Sequence, residues 1–117
     1  MTPSEIAAIL AELGASPAKS RGQNFLVDDR VADRQIDYAE LSSHDTVLEV
    51  GPGLGMLTGR LATHAGKVIA IETDAKLASY LTGRLPENVE LIEGDALTVP
   101  FPRFDKFVSN LPYSISS

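Results

Sequence analysis

The spacing of apolar residues changes along the chain. It predicts helices in the N-terminal part and strands that alternate with helices in the rest. Up to about residue 41 apolar residues recur every three or four positions, which predicts two helices on either side of a loop over 15–27. The first helix follows a capping box at 2–5 and stops at Gly14, and the second begins at Asp28 or Asp29. The predicted buried faces are Ile6, Ile9, Leu10 and Leu13 in the first helix, and Val31, Ile36 and Leu41 in the second.

After residue 45, short apolar runs alternate with helical segments. Runs at 46–50, 67–72, 89–93 and 106–109 are predicted strands, and the segments from Leu57 to about Ala65 and from Ala75 to Leu85 are predicted helices. Apolar strands that alternate with helices indicate a parallel sheet covered on both faces. The predicted fold class is therefore α/β, with four parallel strands behind N-terminal helices.

Composition narrows the class of protein further. Hydrophobic residues make up 44% of the 117 positions, which is enough for a core, and no apolar run approaches the ~20 residues of a membrane span. The chain has no cysteine, which excludes a disulfide framework and fits a cytoplasmic protein, and no His/Asp/Glu cluster has metal-ligand spacing. The formal net charge of −6 counts against nucleic-acid binding, because proteins that bind a phosphate backbone usually carry a basic face.

A glycine-rich turn, Glu49–Gly55, joins the first predicted strand to the next helix. Gly51, Gly53 and Gly55 let the backbone turn sharply and let a ligand approach without meeting side chains. Met56 stands where a nicotinamide or flavin binder would have its third glycine. The turn therefore suits a nucleotide-like cofactor without a pyrophosphate; the alternative is a tight turn that binds nothing.

Two acidic residues lie at the ends of later strands. Glu72 ends the second strand about 20 positions after Gly51, where an acidic side chain can accept hydrogen bonds from both hydroxyls of a ribose. Asp95 follows the third strand and is placed to accept a hydrogen bond from an adenine amino group, with Ala96 and Leu97 flanking the ring. Each could instead be an ordinary strand end or turn residue.

The fourth strand runs into Asn110–Tyr113, to which we assign the reaction. An adenine amino nitrogen is a poor nucleophile because its lone pair is delocalised, and the Asn110 side-chain oxygen and Leu111 carbonyl could hold its hydrogens. Pro112 stiffens the turn, and Tyr113 could stack on a base taken out of its helix. A sulfonium leaving group needs no strong base, so alignment and electrostatics would suffice. The motifs together predict methyl transfer to a nucleic-acid adenine.

These motifs, in this order, resemble those of the small-subunit ribosomal RNA adenine dimethyltransferase family (KsgA and its archaeal and eukaryotic relatives). The resemblance runs from about Ala18 to the last residue. It implies a Rossmann-like class I methyltransferase of which residues 1–117 are the N-terminal part, with the rest of the sheet and a C-terminal helical RNA-binding domain missing. The segments that carry it are Gly22–Leu26, Glu49–Gly55, Ile71–Glu72, Gly94–Ala96 and Asn110–Tyr113.

The resemblance also implies the chemistry and the partners. S-adenosyl-L-methionine would be the cofactor, and two methyl groups would go to N6 of adenosines in the RNA of the small ribosomal subunit during ribosome biogenesis. A cytoplasmic monomer without a metal or a membrane partner is expected. The implied cofactor-binding residues are Gln23, Asn24, Leu26, Gly51, Gly53, Gly55, Glu72, Asp95, Ala96 and Asn110, and the implied catalytic residues are Asn110, Leu111, Pro112 and Tyr113.

Three alternatives stay open at the level of the sequence. An Erm-like enzyme would methylate large-subunit RNA, although the second residue of its tetrapeptide is often Ile, whereas this chain has Leu111. A non-catalytic ribosome-assembly factor would use the cofactor only as a ligand, but it would not need Asn110 and Tyr113. A nicotinamide-dependent oxidoreductase is disfavoured by Met56.

Overall fold

A computed structural model describes residues 3–14 and 29–109 of the chain. The strands have the bounds that the apolar runs predict, whereas two helices end earlier than predicted. Within the described ranges the elements are α1 (Pro3–Glu12), α2 (Asp29–Ala39), β1 (Thr46–Val50), α3 (Met56–His64), β2 (Lys67–Glu72), α4 (Ala75–Leu81), β3 (Val89–Glu93) and β4 (Lys106–Ser109).

Helices α2 and α4 end before the residues that the apolar spacing predicts. Helix α4 was predicted to reach Leu85 but ends at Leu81, because Thr82 leaves the helical region with ψ 122° and Gly83 has φ 82°. Leu41 was predicted to lie on α2, but the helix ends at Ala39. Leu41 packs, from beyond the helix end, against the buried cluster that contains Ala32 and Ile36 of α2. The spacing of apolar residues indicates which face of a helix is buried. It does not indicate where the helix ends, which depends on the backbone dihedral angles of the last residues.

The four strands form one parallel sheet in the order β3-β2-β1-β4. The chain steps from β1 to β2 to β3 in one direction and then crosses back to place β4 on the other side of β1. The last residue of β1, Val50, pairs with Ile71 on one side and with Ser109 on the other. The order of the strands therefore reverses between β1 and β4. In open sheets of this kind, ligands bind outside the carboxyl ends of the strands at such a switch point.

Apolar layers cover both faces of the sheet. On one face Val47 and Val68 pack against α2 and α3. On the other face Leu48 of β1 packs with Ile69 and Ile71 of β2. Ala96 and Val99, from the segment that connects β3 to β4, cover this cluster. Successive side chains of a strand point to opposite faces, so a wholly apolar strand fits a sheet buried on both sides.

Helix α1 packs beside the carboxyl edge of the sheet. Its Ile6 and Leu10 belong to a buried cluster with Leu77 of α4 and with Leu54, which lies inside the glycine turn. Leu54 is the one residue of Gly51–Gly55 that is neither glycine nor proline. Burial of Leu54 therefore fixes the turn against two helices at once.

Two negative findings concern the described residues. None of the helices within 3–14 and 29–109 combines the length and the apolar character needed to cross a membrane. The same ranges contain no group of three or more His, Cys, Asp or Glu side chains that could hold a metal ion.

Candidate functional site

The predicted site residues of the described ranges lie at one edge of the sheet. Parallel strands all end on the same side, so the segments that follow them are neighbours. Gly51 follows β1, Glu72 ends β2, and Asp95 comes two residues after β3. Because β1, β2 and β3 are adjacent in the sheet, the structure brings together three motifs that are spread over 45 positions of the sequence.

The glycine turn depends on backbone conformations that favour glycine. Gly51, Gly53 and Gly55 have φ values of 79°, 60° and 84°, all in the left-handed region. The Gly51 amide donates to the carbonyl of Ile71 at 3.0 Å, and the Gly55 amide donates to the carbonyl of Pro52 at 2.9 Å. The first bond continues the β1–β2 pairing, and the second closes the turn. Glycine at every second position is therefore required by the fold of the turn itself.

The last of these glycines also begins α3. Gly55 is its N-cap residue and gives the helix no side-chain cap. A Cβ atom at Gly55 would lie 2.9 Å from Cδ2 of Leu81 and 3.3 Å from Cδ2 of Leu85, so α4 closes tightly on the turn. The first amides of α3 carry the partial positive charge of a helix N-terminus and lie at the carboxyl edge of the sheet.

Glu72 binds the glycine turn directly. Its side chain is buried, with Oε1 accepting a hydrogen bond from the amide of Gly53 at 3.1 Å and Oε2 accepting one from the amide of Asp74 at 2.9 Å. Burial raises the pKa of Glu72, although these backbone hydrogen bonds oppose the rise. A carboxylate has about four acceptor positions. The two observed bonds therefore leave acceptor positions of Glu72 for a ribose. The contact with a ribose stays a prediction.

Glu49 received no role from the sequence, yet its environment is unusual. It is fully buried on the sheet face beneath α3. Its Oε1 accepts a hydrogen bond from Thr58 Oγ1 at 2.5 Å, and its Oε2 is buried without a hydrogen-bond partner among the described residues. Burial raises the pKa of Glu49 to about 7, the bond from Thr58 opposes the rise, and the negative charge of Glu72 adds to it. The signal in the sequence was a charged residue inside an apolar strand, because Glu is rarely fully buried.

Ser109 Oγ is a second buried atom that has no hydrogen-bond partner among the described residues. Ser109 pairs with Val50, the neighbour of Glu49 on β1. Both of these polar atoms therefore belong to the last two residues of the strands that flank the switch point. Ser109 shares the sheet face of its partner Val50, whereas Glu49 lies on the opposite face, so the two atoms do not form one site. Buried polar atoms of native proteins are normally hydrogen-bonded, so the Glu49 oxygen beneath the glycine turn fits a polar ligand.

Asp95 shapes the turn after β3. Its Oδ1 accepts a hydrogen bond from the amide of Leu97 at 2.8 Å, and its carbonyl accepts from the amides of Thr98 and Val99. Ala96 packs inward against the apolar cluster of that sheet face, whereas the Leu97 side chain is 93% exposed. The carboxylate of Asp95 is exposed and keeps acceptor positions, so its contact with an adenine stays a prediction.

The remaining predicted site residues lie outside the described ranges. Asn110 follows Ser109 directly in the sequence, and Ser109 pairs with the residue that precedes Gly51. The chain therefore leaves the described part of β4 beside the glycine turn. The predicted residues outside the described ranges are Gln23, Asn24, Leu26, Asn110, Leu111, Pro112 and Tyr113.

Comparison with known proteins identifies relatives of one family. A family model described as ribosomal RNA adenine dimethylase matches residues 15–117. The chain is 52% identical over 110 residues to the probable ribosomal RNA small subunit methyltransferase A of Thermococcus onnurineus, which covers 93% of this chain and 40% of that protein. The chain thus spans about two fifths of the length of the curated relatives it matches.

Solved structures show the same architecture. A dimethyladenosine transferase from Plasmodium falciparum superposes with a TM-score of 0.72 at 39% identity, over 80% of this chain and 35% of that one. The 23S rRNA methyltransferase ErmE superposes with a TM-score of 0.67 at 38% identity, over 80% of this chain and 39% of that one. These likenesses confirm the predicted Rossmann-like fold class.

Proposed function

The chain belongs to the ribosomal RNA adenine dimethylase family, and on that premise we propose that it forms the cofactor-binding part of an rRNA adenine N6,N6-dimethyltransferase. The methyl donor would be S-adenosyl-L-methionine, and the acceptor an adenosine of small-subunit ribosomal RNA during ribosome biogenesis. One observation carries the proposal. The glycine turn, braced by Glu72, lies at the switch point between β1 and β4, where β4 leads into Asn110.

The described residues fit this donor. When bound, S-adenosyl-L-methionine supplies a methyl group on a positively charged sulfur, which is a good leaving group. The glycines of the turn let the donor approach the backbone without meeting side chains. Glu72 would hold the ribose with its remaining acceptor positions, and Asp95 would hold the adenine. The buried carboxyl of Glu49, with one oxygen that lacks a partner among the described residues, adds acidic character beneath the turn.

We assign the reaction to Asn110–Tyr113. The side-chain oxygen of Asn110 and the carbonyl of Leu111 would accept hydrogen bonds from the target amino group and draw its nitrogen toward the methyl group. Pro112 would hold that carbonyl in place, and Tyr113 would stack on the extruded base. The contribution of the chain is then positioning and electrostatic stabilisation. Gln23, Asn24 and Leu26 would close over the donor.

The small-subunit substrate is favoured by the relatives. Curated relatives that are 45% to 60% identical to the chain are named small subunit methyltransferases, whereas ErmE is 38% identical. We therefore propose the small ribosomal subunit and its RNA as the partner, with the protein acting in the cytoplasm as a monomer. Methylation of large-subunit RNA, as the name of ErmE describes for that protein, is the runner-up.

The test measures cofactor binding and methyl transfer separately. Calorimetry should show binding of S-adenosyl-L-methionine and none of a nicotinamide dinucleotide. Labelled methyl groups should pass to isolated small subunits and not to large subunits. Replacing Asn110 with Ala should abolish transfer and leave donor affinity within a few-fold, because the residue acts on the target amine.

Each contrary outcome points to another function. Binding of the dinucleotide without S-adenosyl-L-methionine would make the protein an oxidoreductase. Label in large-subunit RNA would favour an Erm-like enzyme. In the full-length protein, donor binding with no transfer to any RNA would favour a non-catalytic assembly factor.

A further inference from the structure

Glu49 lies where the glycine turn folds back over its own strand. Val47 and Glu49 point toward α3, whereas Leu48 and Val50 point to the opposite face of the sheet. The chain leaves β1 at Val50, makes the turn and returns as α3, whose third residue, Thr58, donates to the Glu49 carboxyl. Both ends of the turn are thus joined through this one side chain.

The charge of Glu72, which acts on Glu49, is also negative. Glu49 pairs with Ala70, and Glu72 is two positions further along β2, so the two carboxyls point to the same face of the sheet. The basic groups of α3, β2 and β4, the elements next to Glu49, interact elsewhere. Arg60 of α3 pairs with Asp33 of α2, His64 of α3 contacts the Arg60 carbonyl, Lys67 of β2 pairs with Glu90 of β3, and Lys106 of β4 donates to the carbonyl of Ala39.

The methyl donor and its demethylated product differ at the sulfur atom by one charge. The donor has a positive sulfonium, and S-adenosylhomocysteine has a neutral thioether in its place. A buried carboxylate close to the glycine turn attracts only the first of these. We propose that Glu49 is a specificity-determining residue that favours the charged donor over the neutral product while its carboxyl is ionised. The inference rests on the proposed function, because it requires this donor.

The expected preference follows from Coulomb's law. Glu49 and Gly51 are two strand residues apart, which is about 7 Å along the backbone. With an effective dielectric constant of about 20, two unit charges roughly 12 Å apart change a binding constant about tenfold. A donor bound against the turn is therefore within range of an ionised Glu49.

The preference should depend on pH. Glu49, with its pKa of about 7, is protonated in mildly acidic solution and ionised in mildly basic solution. The ratio of product to donor dissociation constants should therefore be low near pH 6 and about tenfold higher near pH 8.5. A bound cation also lowers the pKa of a nearby carboxyl, so binding of the donor near neutrality should release a proton.

The test is calorimetry with S-adenosyl-L-methionine and S-adenosylhomocysteine, over this pH range and in buffers of different ionisation enthalpy. The wild type should show the tenfold rise and release of protons on binding the donor. In Glu49→Gln the ratio should rise less than in the wild type, and the pH dependence that remains comes from Glu72, whose pKa is also raised by burial. Far-UV circular dichroism checks that each variant is folded.

Variants at Thr58 provide a matched pair that leaves Glu49 in place. Thr58→Val removes the hydroxyl that stabilises the ionised carboxyl, so the midpoint of the rise should move to higher pH. Thr58→Ser keeps the hydroxyl and should keep the midpoint. This pair tests the inference even if Glu49→Gln fails to fold.

Two results would overturn the inference. In the first, Glu49→Gln keeps the wild-type pH profile or weakens both ligands equally at every pH, which would indicate a purely structural role and leave the proposed function intact. In the second, the wild type binds neither ligand, which would also remove the proposed function. The two failures are therefore distinguishable.

Discussion

The buried carboxyl of Glu49 should make the stability of the protein depend on pH, and Glu49→Gln should remove most of that dependence. The side chain is fully buried, accepts one hydrogen bond from Thr58 and has a second oxygen without a partner among the described residues. Glutamine has nearly the same shape and no charge. The substitution therefore removes the ionisation of the group while largely preserving its packing.

The magnitude follows from the pKa. Folding raises the pKa of Glu49 from 4.5 to about 7, so between these values the folded state holds a proton that the unfolded state has released. The contribution of Glu49 to the free energy of unfolding is therefore full below pH 4.5 and is lost as the pH rises through about 7. A rise of this size corresponds to about 3 kcal/mol. Burial raises the pKa of Glu72 as well, and its loss in the same direction should remain in the variant.

Urea denaturation followed by far-UV circular dichroism measures the effect. Between about pH 5 and pH 8.5 the wild type should lose about 3 kcal/mol more stability than Glu49→Gln. Glu90→Gln is the matched control, because Glu90 is an exposed glutamate on the neighbouring part of the sheet whose pair with Lys67 is worth about 1 kcal/mol or less. Equal losses in the wild type and Glu49→Gln would show that this carboxyl is ionised as easily in the folded state as in the unfolded chain, and would refute the reasoning.

Two further predictions concern the ends of the helices beside the site. Gly55→Ala should destabilise the protein by about 2–4 kcal/mol, because an L-residue is strained in the left-handed region and overpacks the core; the new Cβ would lie 2.9 Å from Leu81 at φ 84°. A loss below about 1 kcal/mol on urea denaturation would contradict this. Asp74→Ala should cost about 1 kcal/mol, because Asp74 caps α4 by accepting from two amides of its first turn. Asp74→Ser should retain most of that stability, and equal losses in the two variants would argue against capping.

Much of the fold was predictable from local patterns. All four strands have the predicted bounds. The continuous apolar runs of β1 and β2 fit inner strands buried on both faces, whereas β3 and β4 are the outer strands of the described sheet and carry exposed residues such as Glu90 and Phe107. The ends of α2 and α4 were not predictable in this way. Glu40 and Gly83 have positive φ values just beyond those helices, and neither apolar spacing nor the proline at position 86 located these breaks.

Some features of the candidate site were also predictable from local patterns, and others were not. Glycine positions and an acid about 20 residues downstream were enough to predict where a cofactor would bind, because these features express backbone freedom and hydrogen-bonding capacity residue by residue. They did not reveal that Glu72 binds the glycine turn itself, or that Glu49 is buried against Thr58.

The amino-acid sequence by itself determined the strands, the left-handed turn at Gly51–Gly55 and the type of chemistry that each motif can perform. These are properties of single residues and their immediate neighbours. The tertiary structure decided the strand order, which brings Ser109 beside Val50, and the environment that raises the pKa of Glu49. Pairing between distant strands and exclusion of water arise only when remote segments meet, so no local pattern specifies them.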